Sequence, residues 1–335
     1  MIVLWLSAVL AAGVPDAEIH PVATEDGATV VLSNRPGEGP PVLVVHGISS
    51  NHRCWDLEGG PSLAVALHRA GFDPWLLDLR GHGLAEHTPE GARQWRGGSV
   101  DDYGRFDVPA AIRVIQEETG AEQVHYVGHS MGGMVLAVAL NHHPGLPLER
   151  LVVVGTPIDF SDPDRVTGPL MSLSRWSSSL LGFLPSPVAA SLQGRFGGPL
   201  PVDGWLFVDI ASPVRERLYE QIVSPLYARE LHQLKTVGRV GAFMDAQGEE
   251  DYLEGLKGLQ QPTLVLAGRG DRIAPPDRVV GFYTQIASEE KRFIVAGKAT
   301  GFSVDYGHLD LPLGAHAEAE IFPLIVDWLH GEGAD

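Results

Sequence analysis

The stretch VHYVGHSMGGMVLAVAL, residues 124–140, decides the fold of this chain. Its first residues are apolar and suit a buried strand, whereas its last residues are small and apolar and suit a buried helix. The pattern G-x-S-x-G places Ser130 at the sharp turn between them. Such a turn strains the serine backbone and exposes its hydroxyl, and a side chain on the flanking positions would collide with the strand or the helix. Ser130 is therefore the candidate nucleophile, and the turn is supported by Gly128, His129 and Gly132.

Outward from this turn, short apolar strands alternate with amphipathic helices. Strands are predicted at residues 17–22, 29–33, 41–47, 73–79, 123–129, 150–156, 262–268 and 291–297. Helices are predicted at residues 62–70, 99–120, 131–142, 276–287 and 315–330. Pro109 is awkward inside the second of these, and the alternative is a helix that begins nearer to Pro109. This alternation is typical of a doubly wound, mostly parallel α/β sheet with helices on both faces.

The alternation stops at Pro157 and resumes only at Pro262. Because a structureless loop of that length inside a compact domain would be unusual, we expect a helical insertion at 157–261 and an α/β core at 14–156 and 262–335. The stretch WSSSLLGFL at 176–184 suits an apolar pocket that would accept an acyl chain. It suits the insertion's own small core equally well.

The N-terminal segment, residues 1–13, contains the apolar run IVLWLSAVLAA followed by Gly13. This composition favours a signal peptide and therefore a secreted or periplasmic protein. Against this reading, no Lys or Arg precedes the run, and a span of the bilayer needs about 20 apolar residues. The alternative is a terminal segment packed on the domain of a cytoplasmic protein.

The charge and cysteine content exclude some classes of function. The net charge is −18, so nucleic acid would be repelled and is not an expected partner. The single cysteine, Cys54, excludes an internal disulfide and a cysteine-rich zinc site. No cofactor or metal is expected, and the oligomeric state is not indicated by any feature of the sequence.

Three titratable residues follow the ends of predicted strands, where open α/β sheets bind ligands. Asp271 lies in GRGD after the strand at 262–268, Asp159 follows the strand at 150–156, and His308 lies in YGHLD beyond the last strand. A serine hydroxyl needs a histidine base, and that histidine needs a carboxylate to hold its tautomer. Asp310, two residues beyond His308, is expected to fix the loop.

Taken together, HGISSN (46–51), DLRGHG (78–83), GHSMGG (128–133), GRGD and YGHLD resemble the α/β-hydrolase family, in the family's order and over nearly the whole chain after residue 17. The family order Ser–Asp–His implies Ser130 as nucleophile, Asp271 as the acid and His308 as the base, with Asp159 as the alternative acid. The resemblance also implies an oxyanion hole from the backbone N–H groups of Met131 and Ile48. Gly47 lets the second loop turn towards the serine, and His46 is interpreted as a support of that loop.

A closer likeness is to the acid lipases of the gastric and lysosomal group, carried by DDYGRFDVPAAI (101–112) and HLD (308–310). That resemblance implies a helical lid, ester substrates with acyl chains, and transient contact with a lipid interface. DLRGHG and SMGG are instead similar to bacterial lipases and esterases. The predicted function is hydrolysis of a small-molecule or lipid ester. Thioesters, polyesters or carbon–carbon bonds are alternative substrates of the same residues, and a catalytically silent ligand-binding homologue is the non-enzyme alternative.

Overall fold

A computed structural model of the chain describes residues 14–87, 98–160, 183–184 and 206–332. The strands in these ranges are β1 (Glu18–Ala23), β2 (Thr29–Asn34), β3 (Pro41–Val45), β4 (Asp73–Asp78), β5 (Val124–His129), β6 (Leu148–Val154), β7 (Phe183–Leu184), β8 (Leu226–Tyr227), β9 (Thr263–Gly268) and β10 (Lys291–Ala296). The described helices are α1 (Leu63–Arg69), α2 (Val100–Asp102), α3 (Val108–Thr119), α4 (Met131–His142), α5 (Ser212–Arg217), α6 (Ala228–Val240), α7 (Leu253–Leu256), α8 (Pro276–Gln285), α9 (Asp310–Leu313), α10 (Ala317–Glu320) and α11 (Phe322–Leu329). Short 3₁₀ turns lie at His52–Cys54, Gly83–His87 and Lys298–Thr300.

Among the described residues, the main sheet has the strand order β1-β2-β4-β3-β5-β6-β9-β10. β2 pairs antiparallel with β1 and β4, and the pairs from β4 through β3, β5, β6 and β9 to β10 are all parallel. Every residue of β3, β4 and β5 is buried. Alternate side chains of β3 enter different cores: Leu43 and Val45 pack with α3 and α4, whereas Val42 and Val44 pack with α1 and α11. The predicted doubly wound α/β fold is confirmed.

The helix predicted around Pro109 is continuous but contains a π-turn. Ser99 caps it through a capping box with Asp102, α2 passes through a π-turn at Tyr103–Asp107 into α3, and Gly120 ends it in a left-handed conformation. Pro109 has no N–H to donate to the carbonyl of Arg105, four residues earlier. That carbonyl accepts a hydrogen bond from His143 Nε2 at 2.9 Å instead. The proline is tolerated because a neighbouring helix terminus replaces its missing donor.

The prediction of one final helix over 315–330 is wrong. The structure has two short helices, α10 and α11, which meet at Ile321. Pro323 lies in the first turn of α11, where its missing N–H is harmless. At the same place inside one continuous helix, the proline ring would clash with the preceding turn.

The described part of the predicted insertion is helical and is attached to the core. It contains α5, a π-turn at Leu218–Ile222, α6 and α7. The Tyr227 hydroxyl donates to the carbonyl of Gly81 at 2.8 Å, and His82 lies 3.4 Å from Glu230 with both side chains fully buried. Residues 161–182 and 185–205, which include most of the stretch proposed as an acyl pocket, lie outside the described residues, as does the predicted signal peptide at 1–13. The lid and its boundaries stay predictions. None of the helices in the described ranges is long and apolar enough to span a membrane.

A buried ion-pair cluster fixes the loop after β4. Arg80 Nε donates to Asp107 at 2.7 Å, and its terminal nitrogens contact Asp26 at 2.5 and 2.9 Å. Asp107 is fully buried, and burial raises its pKa to about 6 although Arg80 opposes that rise.

We expect Arg80→Met to lower the free energy of unfolding at pH 7 by about 3–5 kcal/mol, because it leaves the buried Asp107 carboxylate without its partner. Chemical denaturation measures the change. Arg113→Met is the matched control, since Arg113 forms an exposed pair with Glu117. That variant should change stability by less than about 0.5 kcal/mol. Equal effects of the two variants would contradict the prediction.

Candidate active site

Ser130 lies at a strained turn between β5 and α4. Its φ of 53° and ψ of −116° are unusual for a residue with a side chain. Two hydrogen bonds hold the turn: Ser130 N donates to the carbonyl of Val154 at 2.8 Å, and the Thr156 hydroxyl donates to the carbonyl of Ser130 at 2.9 Å. Strain of this kind persists only where the surroundings enforce it, and it is concentrated at functional sites.

The glycines on either side of Ser130 are required by close approach. A Cβ on Gly132 would lie 2.5 Å from the carbonyl oxygen of Val45 in β3, and one on Gly128 would lie 2.8 Å from the backbone of Gly132 and Gly133. Both distances are far inside van der Waals contact. The steric reason given for the G-x-S-x-G spacing is therefore seen directly in this chain.

The structure brings together the three side chains predicted from the family order. His308 Nε2 lies 2.9 Å from Ser130 Oγ, and His308 Nδ1 lies 2.7 Å from Asp271 Oδ2. All three residues are buried, with at most 5% of their surface exposed. A carboxylate on Nδ1 requires the proton there, so Nε2 presents its lone pair to the serine hydroxyl.

Asp271 is held by its own turn beyond β9. Its Oδ1 accepts hydrogen bonds from the N–H groups of Ile273 and Ala274 at 2.8 and 2.7 Å, which leaves Oδ2 for His308. Asp159, the alternative acid, has an exposed side chain, and its backbone carbonyl accepts a hydrogen bond from Arg278 at 2.7 Å. The geometry therefore favours Asp271.

Two neighbours fix the loop that carries His308. Asp310 is fully buried and accepts hydrogen bonds from the N–H groups of Gly307 and Val208, both at 2.7 Å, as expected of a residue that fixes the loop. His129 stacks beside His308 with 4.7 Å between the ring centroids, and its Nε2–H donates to the carbonyl of His308 at 3.2 Å. Burial, together with His308, lowers the pKa of His129 well below its ordinary value, so this ring is neutral.

The two predicted oxyanion donors belong to segments that adjoin the serine. Met131 N begins α4 directly after Ser130, and Ile48 follows Gly47, on which a Cβ would lie 3.2 Å from Ser130 Cβ. Within the described ranges, neither N–H donates a hydrogen bond to another group. Both donors are therefore free for an oxygen bound next to Ser130.

His46 uses both ring nitrogens for hydrogen bonds to backbone groups of the loops at this edge of the sheet, and its ring packs 5.2 Å from that of His82. Its Nδ1–H donates to the carbonyl of Gly47 at 2.7 Å, and its Nε2 accepts from Leu79 N at 3.3 Å. Burial, with the neighbouring His82, lowers the pKa of His46 to about 3. A neutral ring with both nitrogens engaged suits the predicted support of the loop.

The sequence did not identify the two residues that hold the loop after β3 against the end of β4, His52 and Asp78. Asp78 Oδ1 accepts from His52 N and its Oδ2 accepts from His52 Nδ1, both at 2.7 Å. Burial raises the pKa of the Asp78 carboxyl, but His52, His46 and the N–H of Leu84 together outweigh burial, and the net pKa is lowered. The carboxylate therefore stays charged and joins the loops after β3 and β4. In the sequence, the available signal is an acidic residue, Asp78, at the carboxyl end of a fully buried strand.

The strand order of the sheet, together with a serine, a histidine and an aspartate at the carboxyl ends of its strands, indicates the family to which the chain belongs. The family model described as alpha/beta hydrolase fold matches residues 40–311, most of the chain. The chain therefore belongs to the α/β-hydrolase family.

Curated relatives of the chain include animal acid lipases. The human gastric triacylglycerol lipase is 34% identical over 149 residues, which cover 40% of this chain and 37% of that enzyme. The lysosomal acid lipase/cholesteryl ester hydrolase of Macaca fascicularis is 31% identical over 183 residues, which cover 50% of this chain and 45% of that enzyme. The matches thus span less than half the length of these relatives.

Solved structures with the same fold include two bacterial esterases. A thermostable carboxyl esterase from Bacillus coagulans has a TM-score of 0.65 at 16% identity, with 94% of this chain and 98% of that chain covered. The esterase from Exiguobacterium antarcticum has a TM-score of 0.62 at 16% identity, with 92% and 98% covered. At this identity the likeness concerns the fold.

Proposed function

We propose that the chain hydrolyses carboxylic esters through an acyl-enzyme on Ser130. The observation that carries the proposal is the pair of contacts of His308, 2.9 Å from Ser130 Oγ and 2.7 Å from Asp271 Oδ2. This arrangement supplies a nucleophile, a base and a group that orients the base. The acid lipases among the relatives are named for ester substrates, which supports the same reaction class here.

Acylation begins when Ser130 Oγ attacks the ester carbonyl carbon. His308 Nε2 takes the hydroxyl proton as the new carbon–oxygen bond forms, and Asp271 stabilises the imidazolium that results. The bond to the alcohol oxygen then breaks, and His308 returns the proton to that oxygen. The alcohol leaves, and the acyl group remains on Ser130.

Deacylation repeats these steps with water. His308 Nε2 takes a proton from a water molecule as the water oxygen attacks the acyl carbon, and it then protonates Ser130 Oγ as the acyl bond breaks. The acid is released and the enzyme is regenerated. The complete reaction consumes only the ester and one water molecule.

Both steps place negative charge on the former carbonyl oxygen. The N–H groups of Met131 and Ile48 are the donors proposed for this oxyanion. Because they are preorganised backbone groups at a buried site, they stabilise the charge without reorganisation, and loss of one such donor costs about 10²–10³ in kcat.

The substrate class proposed is an ester with an apolar acyl chain, from a small molecule or a lipid. The acid-lipase likeness supports this choice. Thioester, polyester and carbon–carbon substrates remain the alternatives for the same three side chains. Nothing observed in the described residues favours one of these alternatives over an ester.

Covalent labelling tests the reaction class. A fluorophosphonate probe should label the wild-type protein at Ser130, and the adduct is located by peptide mass spectrometry. Ser130→Ala should abolish the adduct and His308→Ala should slow its formation sharply. Folded protein that is not labelled would overturn the proposal.

A panel of p-nitrophenyl esters from C2 to C16, with and without an emulsion, then tests the substrate class. A preference for medium or long chains supports the lipase reading. A sharp preference for the C2 ester would indicate a short-chain esterase and would contradict the interpretation as a lipase.

A further inference from the structure

The loop that carries the Ile48 N–H is fastened to the insertion at residues next to Ile48. Ser49 Oγ donates to the carbonyl of Ser224 at 2.6 Å, and Ser224 N donates to the carbonyl of Ser49 at 3.0 Å. The pairing is reciprocal, so the two backbones are held in one register. Ser224 is 175 residues away along the chain, and this contact crosses from the core to the predicted insertion.

Asn51 extends the same contact. Its Nδ2 group donates to the carbonyls of Gln221 and Ile222 at 2.9 and 3.0 Å and lies 3.2 Å from Ser224 Oγ. Its Oδ1 accepts from Arg53 N at 3.0 Å. Both Asn51 and Ser224 are buried. Both polar atoms of the amide are therefore engaged, Nδ2 with the insertion and Oδ1 within its own loop.

Ser49 has a backbone conformation that needs such support. Its φ is +51°, and within the described ranges Ser130 is the only other residue with a side chain at positive φ. A residue with a side chain is disfavoured in the left-handed region unless neighbouring contacts hold it there. The conformation of Ser49 fixes the orientation of the two peptide groups that flank it, Ile48–Ser49 and Ser49–Ser50. The peptide group that carries the Ile48 N–H is the one immediately before these, so Ser49 acts on it through the position of the Ile48 backbone.

We propose that Ser49 and Asn51 are positioning residues, which hold the Ile48 N–H towards the oxyanion by fastening its loop to Ser224 and the π-turn at Leu218–Ile222. The inference rests on the proposed function and deepens it. The insertion then contributes to the rate of the chemical step. Ser49 and Asn51 act through the position of Ile48 and do not touch the substrate.

Asn51→Leu tests the inference, with matched O-aryl esters and thionoesters as substrates. The variant removes the amide donors from the contact. We expect kcat for the ester to fall about 10- to 100-fold with KM changed less than about 2-fold, because a donor displaced by about 1 Å loses most of its effect on the transition state. Sulfur is a weaker acceptor than oxygen, so the thionoester depends less on the donor. The ratio of ester to thionoester kcat should therefore fall.

Asn141→Leu is the matched control. Asn141 Nδ2 donates to Glu250 at 2.6 Å, so it also joins the core to the insertion, but at the far end of α4 from Ser130. Its substitution should leave the ester-to-thionoester ratio unchanged. A lower kcat in Asn51→Leu with an unchanged ratio would overturn the inference, and so would an unchanged kcat.

Ser49→Gly provides a second variant if Asn51→Leu does not fold. Glycine adopts positive φ without strain, so only the hydroxyl contact with Ser224 is lost. We expect a smaller fall of the ratio in the same direction, and an unchanged ratio would overturn the inference. Failure of the proposed function would give a different result from failure of this inference, because the wild-type protein would then neither hydrolyse the ester nor react with the fluorophosphonate.

Discussion

Ser130→Ala and His308→Ala are each expected to lower kcat for a p-nitrophenyl ester by about 10⁴–10⁶, and the double variant is expected to lose no more than either single variant. The serine has no means of losing its proton without the histidine, and the histidine has no nucleophile to activate without the serine. The two side chains, 2.9 Å apart, therefore act as one unit. A small residual rate should persist from substrate binding and the oxyanion donors.

The measurement needs freshly purified variants and steady-state rates corrected for uncatalysed hydrolysis. His316→Ala is the matched control, because His316 is the next histidine along the chain and lies 3.5 Å from Asp209. Its kcat should stay near that of the wild type. Losses that multiply in the double variant would show that Ser130 and His308 act independently and would contradict the proposed mechanism.

Asp271→Asn is expected to lower kcat by about 10⁴ while the fold is kept. The N–H groups of Ile273 and Ala274 bind one side-chain oxygen of Asp271, so an asparagine would keep its carbonyl oxygen there and turn its NH₂ group towards His308. An NH₂ group facing Nδ1 favours the tautomer that is protonated on Nε2. That tautomer cannot accept the proton of Ser130.

Asp159→Asn is the control for this prediction, because Asp159 was the alternative acid and its side chain is exposed. Its kcat is expected to stay within a few-fold of the wild-type value. If Asp159→Asn is inactive and Asp271→Asn is nearly normal, the assignment of the acid is reversed. Circular dichroism of both variants separates loss of fold from loss of function.

Much of the sheet and the elbow could be predicted because their signals are local. A strand buried on both faces is a continuous apolar run, and the glycines around Ser130 are required by contacts within a few residues or with the adjacent β3. The order of the motifs then pointed to Asp271 and His308. Each of these residues follows the end of a predicted strand, and parallel strands bring such ends to one edge of the sheet.

The features that could not be predicted from the sequence depend on contacts between distant loops. Nothing periodic in the sequence pairs Ser49 with Ser224, because loop residues have no repeating pattern and their partners are set by the packing of the whole chain. The same holds for Pro109, whose missing donor is replaced by His143. At Pro323 a local rule conflicts with the apolar spacing of the segment: proline is tolerated in the first turn of a helix but not in its interior, and the helix is interrupted there.

The reciprocal contact between Ser49 and Ser224 has a consequence for exchanging segments between related enzymes. Asp271 takes its position from its own turn, so a transplanted insertion would leave it undisturbed. A transplanted insertion would, however, keep the Ile48 loop in place only if it retained the backbone conformation at 221–224. Chimaeras joined after Tyr227 should therefore tolerate new sequences better than chimaeras joined before Gln221. Substrate selectivity could then be redesigned without loss of turnover only by replacing residues that follow Tyr227.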